Sequence, residues 1–125
     1  VRNQVLVVTT RSVRLEYAAY LRKMRIPFIL AGDTAIDLPA ALDKLYSLFG
    51  IRRFAIVGGA TINARFIQED LVDEIRLVVA PFIDGSKELT ITEMPDNTRL
   101  TKAFALDRVE RLEHDGILII YKRNK

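Results

Sequence analysis

Val57-Gly58-Gly59-Ala60-Thr61 is the stretch whose residue types and order point most directly to chemistry. An apolar run, Phe54-Ala55-Ile56-Val57, precedes it and predicts a buried strand; Ile62, Phe66 and Ile67 follow at i, i+4 and i+5 and predict a helix face. A strand that breaks at paired glycines and opens a helix aims unpaired backbone N–H groups from the positive end of the helix dipole. Without a Cβ in the way, an anion can approach that backbone closely. The ligand such a turn suits is a phosphate or pyrophosphate. A tight strand-to-helix turn with nothing bound is the competing reading.

Thr9-Thr10-Arg11-Ser12 is the second candidate. It follows the first apolar run, and parallel sheets bind ligands at the carboxyl ends of their strands. Two hydroxyls and a guanidinium could hold a phosphate monoester there through charge-assisted hydrogen bonds; a polar strand end with a solvated Arg11 is the alternative. If both turns lie on one edge of a sheet, a ligand with two separate phosphate groups would fit, and NADPH, with its pyrophosphate and 2′-phosphate, is one.

Other chemistry finds little support. No GxGxxG and no GxxxxGK[ST] is present, against a standard Rossmann dinucleotide site and against an NTPase. One histidine, His114, and no cysteine leave no recognisable zinc site, and His114 is expected to be solvated in a turn. Asp73 and Glu74 are adjacent and would point to opposite sides of a strand, so Asp73 reads as a turn or cap residue. Net charge is +3, from 19 basic and 16 acidic residues. The basic residues are scattered with no aromatic interleaving, which suits a small anion better than nucleic acid. The longest apolar runs are too short to cross a bilayer. No signal peptide is read, and the absence of cysteine fits a cytoplasmic setting.

The elements that must position these residues follow from periodicity. Val5–Thr9 predicts a central strand buried on both faces, and the run from Leu15 to Met24 predicts a helix ending before Pro27. Phe28–Ala31 predicts a second strand closed by Gly32. Asp37 is the expected N-cap of a helix with Pro39 in its first turn, carried by Leu38, Ala41, Leu42, Leu45, Leu48 and Phe49 and stopped by Gly50. Phe54–Val57 is the third expected strand, followed by a helix to about Glu69, and Glu74–Pro81 the fourth. This βα alternation predicts an α/β fold with a mostly parallel sheet. Ala103–Leu112 and Ile117–Arg123, around His114-Asp115-Gly116, predict an antiparallel hairpin. Between the fourth strand and this hairpin, 85–99 reads as a surface loop with a short strand at Leu89–Thr92. The 125 residues suit a single domain. The start at Val1, without an initiator methionine and almost directly in a strand, is expected of a piece of a longer polypeptide.

Val57-Gly58-Gly59-Ala60-Thr61-Ile62, then Phe66, Leu71-Val72-Asp73-Glu74-Ile75-Arg76-Leu77, Ala80-Pro81 and Gly85, resembles the C-terminal reductase domain of riboflavin-biosynthesis proteins. The family pattern runs strand, Glu-Gly-Gly, helix, Leu-Val-Asp-Glu, strand, Ala-Pro and glycine. The resemblance covers 4–90 in element order and is specific over 54–85. It implies a dihydrofolate reductase-like three-layer fold, with helices on both faces of the sheet and the terminal hairpin at its end, and a single domain over 1–125 that lacks its N-terminal segment.

The activity implied is NADPH-dependent reduction of the ribosylamino group of a 5′-phosphorylated aminopyrimidine to ribitylamino. Gly58, Gly59, Ala60, Thr61 and Ile62, and the turn on to Arg65, would line the NADPH pyrophosphate. Thr9 and Thr10, with Arg11, would meet the 2′-phosphate, and Ala31-Gly32-Asp33 would border the adenine. The family's substrate-contacting glutamate is Val57 here, which offers no hydrogen bond. That departure leaves open a related reductase of another small heterocycle or carbonyl, or a non-catalytic nucleotide-binding or dimerisation module. The catalytic residues stay unassigned. A cis Gly58–Gly59 peptide is expected by analogy with related reductases. So is a homodimer, to which the hairpin offers Phe104, Leu106, Ile117 and Ile119. Neither nucleic acid nor membrane is an expected partner.

Overall fold

A computed structural model describes residues 4–83, 85, 90–96 and 98–124. The chain divides into two compact units, 1–55 and 56–125.

The first unit runs β1 (Val7–Thr9), α1 (Leu15–Lys23), β2 (Phe28–Leu30) and α2 (Leu38–Phe49). β1 and β2 pair in parallel, Val7 against Phe28 and Thr9 against Leu30. α2 forms where its caps place it. The Asp37 carboxylate accepts the Ala40 N–H at 2.9 Å, a proline occupies the first turn, and Gly50 closes the helix in the left-handed region. Leu38, Ala41 and Leu45 form its buried stripe and, with Leu21, Ile29 and Ala31, supply this unit's core. Lys44 Nζ donates to the Leu30 carbonyl at 2.5 Å, tying α2 to the end of β2.

The second unit holds α3 (Ala60–Gln68), β3 (Glu74–Val79), β4 (Phe104–Arg111) and β5 (Ile117–Arg123). The sheet is antiparallel in the order β3-β5-β4. The hairpin turn takes its left-handed pair at His114 and Asp115, with φ of 58° and 62°, one residue earlier than an Asp-Gly turn would place it. Gly116 is already extended, with φ −70° and ψ 160°. Asp107 is an extra residue in β4, because Leu106 faces Tyr121 while Arg108 faces Ile120. The bulge turns Leu106 and Val109, three residues apart, onto one face.

Five expectations need correction. The sheet is not mostly parallel: parallel pairing is confined to β1 and β2. Phe54–Val57 forms no strand and is not buried, with Phe54 at 54% and Val57 at 93% exposure. A strand is defined by its place in a ladder, and this run belongs to neither of the two sheets. Glu74–Val79 is a strand, but it pairs antiparallel with β5, which answers its alternation of polar and apolar residues. β1 is shorter than the run Val5–Thr9 and is half-buried, with Val5 exposed. Of the expected strand at Leu89–Thr92, Leu89 lies outside the described residues and 90–92 is not a strand.

Candidate functional site

Two groups of candidate residues exist, one in each unit. In the first unit, the β1–β2 ladder continues past both strand ends. Ala31 N–H donates to the Thr9 carbonyl at 2.8 Å, Arg11 N–H to Gly32 at 3.0 Å and Ser12 N–H to Asp33 at 3.0 Å. These bonds bring Thr9, Thr10 and Arg11 beside Ala31-Gly32-Asp33. Gly32 makes the turn possible: its φ is +88°, and a Cβ there would sit 2.0 Å from the Ala35 carbonyl oxygen. The hydroxyls of Thr10 and Ser12 share a hydrogen bond at 2.8 Å. Arg11 Nη1 donates to Asp33 Oδ1 at 2.6 Å, with both side chains largely in solvent. The expected guanidinium is therefore present with a carboxylate already on it.

In the second unit, Gly58 and Gly59 have φ of +121° and +79°, and Gly59 is the N-cap of α3. No side chain caps the helix, and its first intrahelical bond runs from Asn63 N–H to the Gly59 carbonyl at 3.0 Å. The amides of Ala60, Thr61 and Ile62 come before that bond and lie at the positive end of the dipole. A Cβ on Gly58 would meet no atom within 4 Å, so the approach to the turn is open; on Gly59 it would meet Ile62 Cγ2 at 3.1 Å. The Gly58–Gly59 peptide is trans, not the expected cis bond. Positive φ at both glycines turns the chain without it. Val57 projects into solvent at 93% exposure beside this turn. Ala60 is buried, Ile62 half-buried and Thr61 exposed.

Sequence reasoning missed the segment that lies against this helix start. Asn63 Nδ2 donates to the Ile91 carbonyl at 2.9 Å, and Glu93 N–H donates to the Ala60 carbonyl at 3.2 Å. An amide side chain one turn into an otherwise apolar helix face was the available signal. Asp73 is a turn residue as expected: Arg123 Nη2 donates to it at 2.6 Å, and the same guanidinium reaches the Asp70 carbonyl. Lys102 holds both Asp70 oxygens at 2.9 Å. Among the described residues there is no group of three or more His, Cys, Asp or Glu that could hold a metal, and no helix long and apolar enough to cross a membrane.

The start of α3 offers backbone N–H donors to an anion, and the Thr10–Arg11–Ser12 loop offers hydroxyls and a guanidinium, the latter already held by Asp33.

Comparison with known proteins gives a consistent result. A family profile described as the RibD C-terminal domain matches residues 1–118. The chain is 37% identical over 92 residues to the 2,5-diamino-6-ribosylamino-4(3H)-pyrimidinone 5′-phosphate reductase of Methanothermobacter thermautotrophicus, a match covering 68% of this chain and 42% of that protein. It is 32% identical over 84 residues to the protein of the same name from Aquifex aeolicus, covering 67% and 37%. The chain thus spans about two fifths of the length of these relatives. In fold it is similar to a pyrimidine reductase-like protein from Corynebacterium diphtheriae, with a TM-score of 0.77 and 21% identity over 96% of this chain and 50% of that one. It is also similar to RibD of Acinetobacter baumannii, with a TM-score of 0.65 and 20% identity over 97% and 38%.

Proposed function

The chain belongs to the RibD C-terminal domain family, and from that premise we propose that it is the coenzyme-binding part of an NADPH-dependent reductase of riboflavin biosynthesis. The substrate class is a 5′-phosphorylated ribosylaminopyrimidine, whose ribosylamino group is reduced to ribitylamino. The whole of 1–125 is then one reductase domain of the dihydrofolate reductase-like, three-layer kind, working in the cytoplasm. Bound NADPH would supply the reducing equivalent.

The observation that carries the reading is the open, glycine-capped start of α3. Gly58, Gly59, Ala60, Thr61 and Ile62 hold the pyrophosphate through backbone N–H groups and the helix dipole. Thr9, Thr10 and Arg11 receive the 2′-phosphate, and Val57 faces the substrate. Chain and substrate meet at Val57 without a hydrogen bond, so the valine shapes the site and leaves polar recognition to other residues. That same valine favours the second reading, a reductase of another small heterocycle or carbonyl.

Calorimetric titration of the intact protein with NADPH tests the coenzyme site. Gly59→Val adds a branched side chain at φ +79° and against Ile62, and should weaken binding at least tenfold, about 1.4 kcal/mol. No heat with the unaltered protein would end the reading. Loss of NADPH absorbance on adding the ribosylaminopyrimidine phosphate then separates this substrate from another heterocycle, and absence of turnover with any carbonyl or heterocycle would leave a nucleotide-binding module.

We place a homodimer contact on one face of the β3-β5-β4 sheet. By register that face carries Ile75, Leu77, Val79, Leu106, Val109, Ile117 and Ile119. Four of these, Val79, Leu106, Val109 and Ile117, are between 41% and 58% exposed. A contiguous apolar surface of this kind is the sort that partners cover.

A further inference from the structure

Arg11 and Asp33 stand opposite each other at the carboxyl ends of two parallel strands, held there by backbone. Arg11 N–H donates to Gly32 and Ser12 N–H to Asp33, each at 3.0 Å, so the two side chains start from fixed, adjacent positions. The guanidinium reaches the carboxylate at 2.6 Å, yet the side chains are 70% and 76% exposed. An ion pair so solvated contributes little to stability, so a stronger anion can separate it without disturbing the fold.

The two charges ask for different ligands. A guanidinium grips a phosphate monoester through paired, charge-assisted donors. A carboxylate accepts from a ribose hydroxyl and repels a phosphate. Where adenine dinucleotides lie across the ends of parallel strands, an acidic residue serves the 2′-hydroxyl of the unphosphorylated coenzyme and an arginine serves the 2′-phosphate. This loop pair holds both groups, each occupied by the other.

The geometry points to Asp33 as the residue that sets the choice between 2′-phosphorylated and 2′-hydroxyl coenzyme. It competes with the 2′-phosphate for Arg11, and it is the acceptor a bare 2′-hydroxyl would use. This rests on the dinucleotide reading of the preceding section. Thr10 and Ser12, whose hydroxyls already share a hydrogen bond at 2.8 Å, supply further donors once Arg11 turns to a phosphate.

Asp33→Asn keeps shape and removes charge at an exposed position, so it leaves folding intact. Calorimetry on the intact protein and on D33N, with NADPH, NADH, 2′-AMP and 5′-AMP, reads binding without any turnover. The expected result is a rise in the NADPH-to-NADH affinity ratio of roughly tenfold, the worth of one charge-assisted contact, with 2′-AMP gaining over 5′-AMP in parallel. Arg11→Ala should lower the same ratio by weakening NADPH and 2′-AMP alone. Both coenzymes binding with an unchanged ratio in D33N would overturn this inference and leave the dinucleotide reading standing. NADPH binding more weakly in D33N would also overturn it, since Asp33 would then be positioning Arg11 for the phosphate. Neither coenzyme binding to any of the three proteins would remove the dinucleotide reading, and this inference with it.

Discussion

Gly32 and Gly50 both take positive φ, +88° and +66°, but they meet different surroundings. A Cβ at Gly32 would lie 2.0 Å from the Ala35 carbonyl oxygen and 2.9 Å from the Asp37 amide nitrogen, both backbone atoms that cannot step aside. At Gly50 it would meet nothing within 4 Å. Gly50→Ala should therefore cost only the left-handed strain, about 1 kcal/mol, whereas Gly32→Ala adds a collision and should cost roughly 3 kcal/mol or more. Urea denaturation of the two variants gives the comparison. Equal losses would mean that the loop after β2 relaxes freely. The consequence reaches function, because Gly32 also accepts the Arg11 amide and so fixes where Arg11 and Asp33 begin.

At the scale of elements, the best-read helix is the one whose ends carry their own chemistry. α2 was delimited by Asp37, Pro39 and Gly50, and each does in the structure what its type dictates. Asp37→Ala removes the bond to the Ala40 amide and should lower stability by about 1 kcal/mol in thermal or urea unfolding. An unchanged midpoint would mean that water caps the helix equally well. Phe54–Val57 shows why the same reading failed a few residues later. Four apolar residues between Arg53 and Gly58 have strand propensity, but propensity provides no hydrogen-bonding partner, and none was visible in the sequence. The direction of β3 was legible: Glu74-Ile75-Arg76-Leu77 alternates as a one-sided antiparallel strand does, although the βα rhythm before it points to a parallel one. The glycine turn of the candidate site was readable because two adjacent glycines ahead of a helix have few other uses. The Arg11–Asp33 pair was not, since 22 residues separate its members and only the β1–β2 register joins them.

For the whole molecule, the proposed dimer turns on the Asp107 bulge. Without the extra residue, Leu106 and Val109 would fall on opposite faces of β4; with it, both join Ile117, Ile119 and Val79. The other face is charged at Glu74, Arg76, Arg108, Glu110 and Lys122, with Glu74 paired to Arg76 at 2.6 Å and Arg108 to Glu110 at 2.7 Å. That face also carries Ile120, buried at 1% exposure, whereas Leu106 and Val109 on the first face stand largely in solvent. Leu106 and Val109 are 58% and 55% exposed, so a carboxylate at either position is solvated in an isolated subunit and the ladder with β5 keeps its hydrogen bonds. In a dimer that buries this face the same charge loses its water without gaining a partner, which costs several kcal/mol. Val109→Glu should therefore weaken self-association by roughly a hundredfold or more while leaving the unfolding midpoint of the dissociated chain within about 1 kcal/mol of its original value. Light scattering across a concentration series measures the first and urea denaturation at high dilution the second. A monomer mass for the unaltered protein at micromolar concentration would remove the dimer; a dimer that survives both Val109→Glu and Leu106→Glu would move its contact to another surface.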